Sequence, residues 1–141
     1  MTLLRKLFFY GYVFMLLGVG ASGIFIARWE LTHIFQLPLS SLSSVAQATI
    51  LTQYRFLKSA ELSYGLFCFH FRSEIFQNGG LRFLFVTMVF LGVGARALSL
   101  FIDGTPHWAF LMFAILEFIT GLLMLIKPQG ANEAEPSAAR R

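Results

Sequence analysis

Long apolar segments dominate this sequence and restrict the folds that it can adopt. Three of them, residues 7–27, 83–102 and 108–126, are similar in length and contain at most one full charge each. A membrane-spanning helix needs about 20 mostly apolar residues to cross roughly 30 Å of hydrocarbon. The sequence therefore predicts an all-α polytopic membrane protein in which each of these segments is a transmembrane helix.

A fourth segment, residues 54–71, is apolar only in its second half, because three charged residues lie in its first half. It must still cross the membrane if the following helices are to obey the positive-inside rule. We therefore predict a four-helix transmembrane bundle over residues 1–128. The small, polar residues 129–141 are expected to form a disordered cytoplasmic tail.

Composition and charge both favour a lipid environment. Apolar residues make up 57% of the chain and charged residues 13%, whereas soluble domains are roughly 25% charged. The net charge of +4 comes from basic residues scattered between apolar segments, so we expect no nucleic-acid partner. With both termini in the cytoplasm, seven of the eleven basic residues lie on the cytoplasmic side, as the positive-inside rule requires. These seven are Arg5, Lys6, Arg72, Arg82, Lys127, Arg140 and Arg141.

Two short patterns occur twice in the sequence. The residues LGVGA stand at 17–21 and again at 91–95, and the pattern E-x-x-x-G-L begins at Glu61 and again at Glu117. These matches fit a duplicated helical hairpin with a pseudo-two-fold axis along the membrane normal, although short matches between Gly- and Leu-rich helices also arise by chance. In either case, small residues allow helices to approach closely in lipid. The predicted helix-packing residues are Gly18, Gly20, Gly65, Gly92, Gly94 and Gly121.

Charged residues within the predicted spans are the main candidates for a functional site. An ionisable side chain in the hydrocarbon is costly, so it normally faces the protein interior and is paired. Arg96 and Glu117 each interrupt an otherwise apolar segment, and Glu61 lies at a depth comparable with that of Glu117. Lys58 lies one helical turn before Glu61, close enough to pair with it. The predicted ligand or ion-pair cluster comprises Arg55, Lys58, Glu61, Arg96 and Glu117.

Two interpretations of this cluster remain open. It can bind a small ligand or a proton in a binding or transport-accessory protein, or it can be an ion-pair network that only fixes helix packing in a structural subunit. We expect no metal and no cofactor, because no recognisable motif for either is present. The expected partners are the lipid bilayer and either a small ligand or another membrane protein, and an enzymatic role is less favoured. The sequence does not predict the oligomeric state.

The segment around the third predicted helix resembles a known family. Arg96-Ala-Leu-Ser99, followed by Gly104 and Pro106, is similar to a small bacterial family catalogued as domain of unknown function 4345. The resemblance covers about residues 7–126 and implies a four-helix protein of the bacterial inner membrane, with no assigned activity. The family is distantly similar to the DoxX-like group, which adds a membrane redox or enzyme subunit as a further alternative.

The sequence also departs from the pattern of that family. Lys58 and Glu61 stand where small or apolar residues are expected. The charges of the second helix can therefore be a feature of this protein rather than of the whole family.

Overall fold

The structure is a computed structural model and describes residues 2–126. Its helices are α1 (Thr2–Phe25), α2 (Ala27–Trp29), α3 (Ser44–His70), α4 (Arg72–Gln77), α5 (Gly79–Ile102) and α6 (Trp108–Leu125), with a π-helical turn at Glu30–Ile34 and a 3-10 turn at Leu39–Ser41. No strand occurs within residues 2–126, so the predicted all-α fold is confirmed for this part of the chain. The tail predicted over residues 129–141 lies outside the described residues.

Three helices are long and apolar enough to cross a membrane. The helical segments Leu3–Phe25, Gly79–Ile102 and Trp108–Leu125 have mean hydropathies of 1.7, 2.0 and 2.1. Their outward-facing side chains are large and apolar, and many of them are exposed, as lipid contact requires. The prediction of an integral membrane protein agrees with these three helices.

The four long helices form two antiparallel pairs, α1 with α3 and α5 with α6, and α1 also packs against α6. Arg5 Nη1 donates a hydrogen bond to the carbonyl oxygen of Ile126 at 3.1 Å. The beginning of α1 and the end of α6 therefore lie at the same end of the bundle, which we call the Arg5 end. The core near this end is aromatic, since the ring of Phe9 lies 4.9 Å from that of Phe76 and 5.3 Å from that of Phe85.

Glycines allow α1 and α3 to approach closely. A Cβ atom at Gly20 would lie 2.6 Å from the backbone nitrogen of Leu62, and one at Gly65 would lie 3.1 Å from the side chain of Leu16. Such distances leave no space for a side chain at Gly20, because the neighbouring atom belongs to the backbone. These two predicted packing positions thus lie at a helix–helix contact.

The other predicted packing glycines differ from one another. A Cβ atom at Gly121 would lie 3.0 Å from the Phe90 ring, and one at Gly92 would make ordinary contact with a carboxylate of α6 at 3.7 Å. At Gly18 and Gly94 an added Cβ atom would meet nothing within 4 Å. In the described part of the chain these two glycines therefore pack against no other helix, because they face away from the neighbouring helices.

The helix boundaries follow from capping residues. Ser43 caps α3 by accepting a hydrogen bond from the Ala46 amide, and the Asn78 side chain caps α5 by accepting one from the Gly80 amide. Since α3 begins immediately after Ser43, it extends the predicted segment 54–71 by about three turns toward the N-terminus.

The connection between α1 and α3 covers the end of the bundle opposite the Arg5 end. Within it, the ring of Phe35 stacks on that of Phe110 at 4.7 Å and contacts the rings of His107 and Tyr54. Leu31 and Leu39 of the same connection are buried in a second, smaller apolar cluster. We call this covered side of the molecule the capped end.

Candidate functional site

Arg96 and Glu117 form an ion pair between α5 and α6. Arg96 Nε donates to Glu117 Oε2 at 3.1 Å, and Nη2 donates to Oε1 at 3.3 Å. The carboxylate is buried, with a side-chain exposure of 7%. Paired hydrogen bonds of this kind are the strongest geometry available to an arginine and a carboxylate. In the structure, each of these two charges therefore has the other as its partner.

A second ion pair lies within α3. Lys58 Nζ donates to Glu61 Oε2 at 2.8 Å, and the lysine is buried. Space for the lysine comes from α1, since a Cβ atom at Gly23 would lie 2.5 Å from the Lys58 side chain. The ammonium group also lies 5.2 Å from the centre of the Tyr54 ring, which is a favourable cation–π distance.

A cavity of about 310 Å³ lies between the four long helices. Glu61, Arg96 and Glu117 line it, together with the aromatic residues Tyr12 and Tyr64 and a mainly apolar remainder. Three of the five residues of the predicted cluster thus line one cavity. Lys58 does not line it, but it neutralises the charge of Glu61 through their ion pair.

Arg55, the fifth predicted member, lies apart from the cavity. Its Nε atom donates to the carbonyl oxygen of Ile24 at 3.2 Å, near the end of α1. Together with Arg28 and Gln47 it lines a separate surface recess of about 370 Å³. The structure therefore separates Arg55 from the other four charges of the predicted cluster.

Several polar groups of the cavity lining are not used by other side chains. Among residues 2–126, the Tyr12 hydroxyl, Arg96 Nη1 and Glu61 Oε1 have no hydrogen-bond partner. These three groups supply a hydroxyl, a cationic N–H donor and a carboxylate acceptor. A molecule in the cavity could therefore be held by donors and acceptors of both kinds.

The cavity reaches the surface of the bundle between α3 and α5. Leu57 of α3 and Met88 of α5 both line it, and they are 53% and 43% exposed. At the capped end the Arg96 guanidinium lies 6.0 Å from the centre of the Phe110 ring, on which Phe35 stacks. The cavity is thus open at the side of the bundle and covered toward the capped end.

Glu30 is a buried charged residue that the sequence did not single out. It is 6% exposed, and its carboxylate accepts hydrogen bonds from the Tyr54 hydroxyl at 2.8 Å and from Ser22 Oγ at 3.2 Å. In the sequence it follows the first apolar segment, where a carboxylate is normally solvated. The π-helical turn at Glu30–Ile34 directs it back against α1 and α3, and no hydropathy pattern signals such a turn.

The residues that resemble the known family shape the junction between α5 and α6. Ser99 Oγ donates to Asp103 Oδ2 at 2.7 Å, and Gly104 adopts a φ of 96°, which favours glycine. Pro106 and Ser99 line a groove of about 620 Å³ between the two helices, and Arg96 lines it too. Of these four residues, only Arg96 also lines the cavity.

Comparison with known proteins identifies the family but not an activity. A family model described as Domain of unknown function (DUF4345) matches residues 5–127. No curated protein and no solved structure matches the chain. The matched segment contains α3, α5 and α6 in full and all of α1 except residues 2–4. It also contains the cavity and both ion pairs. The chain therefore belongs to the DUF4345 family, as the resemblance of its Arg96-to-Pro106 segment predicted.

Proposed function

We propose that this protein binds a small ligand of no net charge within the membrane, as a binding or transport-accessory protein. The ligand would occupy the cavity lined by Glu61, Arg96 and Glu117. The observation that carries this proposal is a cavity with paired charges that opens between α3 and α5 rather than at the capped end. Intramembrane charges around a cavity are typical of a functional site.

The charges of the site indicate the chemical class of the ligand. Lys58, Glu61, Arg96 and Glu117 sum to zero, so a charged ligand would leave one buried charge uncompensated. A neutral or zwitterionic molecule avoids this cost and can bond to the Tyr12 hydroxyl and to the unused atoms of Glu61 and Arg96. The cavity corresponds to about ten waters at roughly 30 Å³ each, so the ligand or the part of it that enters is small.

The proposal includes four membrane spans, with α3 as the fourth. Its charged half is turned toward α1, where Lys58 is buried and paired with Glu61, and this lowers the cost of placing α3 in lipid. The Arg5 end would face the cytoplasm of a bacterial inner membrane, since it carries four of the eight basic residues of the described chain, whereas only Arg28 and Arg55 lie near the capped end. The four are Arg5, Lys6, Arg72 and Arg82.

The proposal also includes duplication of a helical hairpin. Gly65 packs against Leu16 between α3 and α1, and Gly121 packs against Phe90 between α6 and α5. Leu16 and Phe90 each precede one copy of the LGVGA pattern, so both glycines meet the equivalent position of the partner helix. This equivalence supports a pseudo-two-fold relation between the two hairpins.

Native mass spectrometry of the protein released gently from lipid nanodiscs tests the ligand proposal. We expect a reproducible additional mass on the wild type that is lost in Arg96→Met. Arg55→Met is the matched control and should keep the mass, because Arg55 lies outside the cavity. A wild type that carries only unselective lipid, or an equal loss in both variants, would contradict binding in the cavity.

A second candidate function is structural. The double hydrogen bond between Arg96 and Glu117 joins α5 to α6 and would fix their register without any ligand. Such networks contribute little net stability but penalise wrong assembly, because one unpaired partner is costly. In this case the protein would be an interaction subunit.

A further inference from the structure

We infer that the Arg5 end of the bundle binds the phosphate of an anionic phospholipid between the guanidinium groups of Arg5 and Arg82. This inference does not depend on the cavity or on which side of the membrane the Arg5 end faces. It requires only that this end lies at the membrane surface.

Arg5 is an unusually enclosed arginine for the end of a helix. The residue is only 7% exposed, and its Cζ atom lies 5.0 Å from the centre of the Phe76 ring. Nη1 donates to the carbonyl oxygen of Ile126, but the buried Nε atom has no hydrogen-bond partner among residues 2–126. A buried N–H without an acceptor carries a large desolvation cost, so an acceptor at this edge of the guanidinium would be stabilising.

Arg82 contacts the same residue, Phe76, that Arg5 contacts. Its Nη1 atom donates a long hydrogen bond, 3.5 Å, to the carbonyl oxygen of Phe76, the residue whose ring Arg5 contacts. Arg82 is half-buried, and no carboxylate within residues 2–126 lies within 4 Å of either arginine. Two partly buried like charges repel each other, and an anion between them removes this repulsion.

The surroundings do not supply that anion in the described part of the chain. Glu74 is the one acidic residue at the Arg5 end within residues 2–126, and its carboxylate accepts a hydrogen bond from Ser73. This hydrogen bond lowers the pKa of Glu74, so the carboxylate stays charged, and within residues 2–126 it forms no ion pair with Arg5 or Arg82. The helices α1 and α5 also begin at this end, and their N-termini add positive potential.

The phosphate of a lipid headgroup suits this position in charge and geometry. Arginine binds phosphate oxygens through two parallel N–H groups, and a phosphate that reached the Nε edge of Arg5 would supply the acceptor that this buried atom lacks among residues 2–126. The site lies beside Phe76 at the end of the bundle, where headgroups of the adjacent leaflet are located. Basic residues at this level attract anionic lipids with a free energy that corresponds to about fivefold in affinity per residue.

The experiment is a titration of the full-length protein in detergent with phosphatidylglycerol or phosphatidylcholine, followed by native mass spectrometry. We expect tighter binding of phosphatidylglycerol, and an affinity about fivefold weaker in Arg82→Gln and weaker still with Arg5→Gln added. Arg72→Gln is the matched control, because Arg72 is exposed at the same end and contacts Phe69 instead. It should bind phosphatidylglycerol as the wild type does.

Three results would overturn the inference. Equal affinity for the two lipids would show that no anionic site is present. An equal loss in Arg72→Gln and Arg82→Gln would indicate diffuse attraction to the whole surface. In a parallel titration with inorganic phosphate, full occupancy with no preference for the lipid would mean that the site binds the free anion. Since Arg82 makes only one long side-chain hydrogen bond to the described residues 2–126, Arg82→Gln remains informative even if loss of Arg5 prevents folding.

Discussion

At the scale of single residues, the sequence predicted the partners of some charged residues but not those of others. Arg96 and Glu117 could be paired from the sequence, because each interrupts an apolar segment and a lone charge in lipid is costly. Glu30 could not be assigned in this way, since it follows the apolar segment and its burial depends on the turn after α1. The pairing of Lys58 with Glu61 followed from their spacing on one helix. Tertiary partners of residues near span boundaries thus need the structure.

The ion pair between α5 and α6 gives a prediction at this scale. Arg96→Met leaves the buried Glu117 carboxylate without a partner and should lower the free energy of unfolding by about 3 kcal/mol. The double variant Arg96→Met with Glu117→Gln should recover most of this loss, because neither charge remains. Circular dichroism during thermal unfolding in detergent measures both effects.

The same double variant separates the two candidate functions. If the ion pair only fixes the packing of the helices, the double variant should recover stability and should differ from the wild type in no other respect. If the pair also binds a ligand, the double variant should be folded and yet lack the additional mass. A double variant as unstable as the sum of the single variants would contradict direct coupling between the two residues.

At the scale of helices, hydropathy predicted where the apolar parts lie better than where the helices begin. The predicted segments 83–102 and 108–126 end within one residue of α5 and α6. The segment 54–71 corresponds to α3, but this helix begins at Ser44, because Ser43 caps it and the polar first turns are helical too. Hydropathy records only the part of a helix that prefers lipid, so polar helical turns are invisible to it.

The glycines of α1 give a prediction at the scale of helix packing. Gly20→Ala would place a Cβ atom 2.6 Å from the Leu62 backbone, so α1 and α3 must separate. We expect a loss of about 1–3 kcal/mol, as for other overpacked contacts. Gly18→Ala, with nothing within 4 Å, should be neutral or slightly stabilising, because alanine favours helix over glycine by roughly 1 kcal/mol.

Thermal unfolding of the two single variants in the same detergent measures this difference. The two substitutions are chemically identical and lie half a turn apart on one helix, so they differ mainly in what each Cβ atom meets. Equal stability of the two variants would contradict close packing of α1 against α3.

At the scale of the whole molecule, the two interfaces that join the α1–α3 pair to the α5–α6 pair differ in how closely their helices pack. The helices α1 and α6 pack closely, whereas α3 and α5 meet mainly through side chains, such as the Tyr64 side chain, whose hydroxyl donates a hydrogen bond to the Phe85 carbonyl oxygen. The cavity opens on this looser side. Even if the short sequence repeats reflect a duplicated hairpin, they do not indicate which of the two interfaces is open, since that depends on side-chain volume at many positions.

Membrane topology gives the prediction at this scale. We expect Ser40→Cys to be modified by a membrane-impermeant maleimide in spheroplasts, and Ser73→Cys to be modified only after the membrane is permeabilised. Both serines are exposed and the native Cys68 is fully buried, so background labelling should be low. Modification of both variants in spheroplasts would show that α3 does not span the membrane, and the reverse pattern would invert the orientation.

The cover at the capped end determines how binding to this protein would have to be quantified. If α3 spans the membrane as proposed, the cavity would exchange with the acyl-chain phase rather than with the buffer, because Phe35 and Phe110 cover Arg96 while the exposed Leu57 and Met88 lie at the opening. Occupancy would therefore follow the mole fraction of ligand per lipid, and adding empty vesicles would dilute the ligand at constant volume. A hydrophobic molecule that partitions strongly into lipid could fill the cavity at trace aqueous concentrations even if its intrinsic affinity were weak.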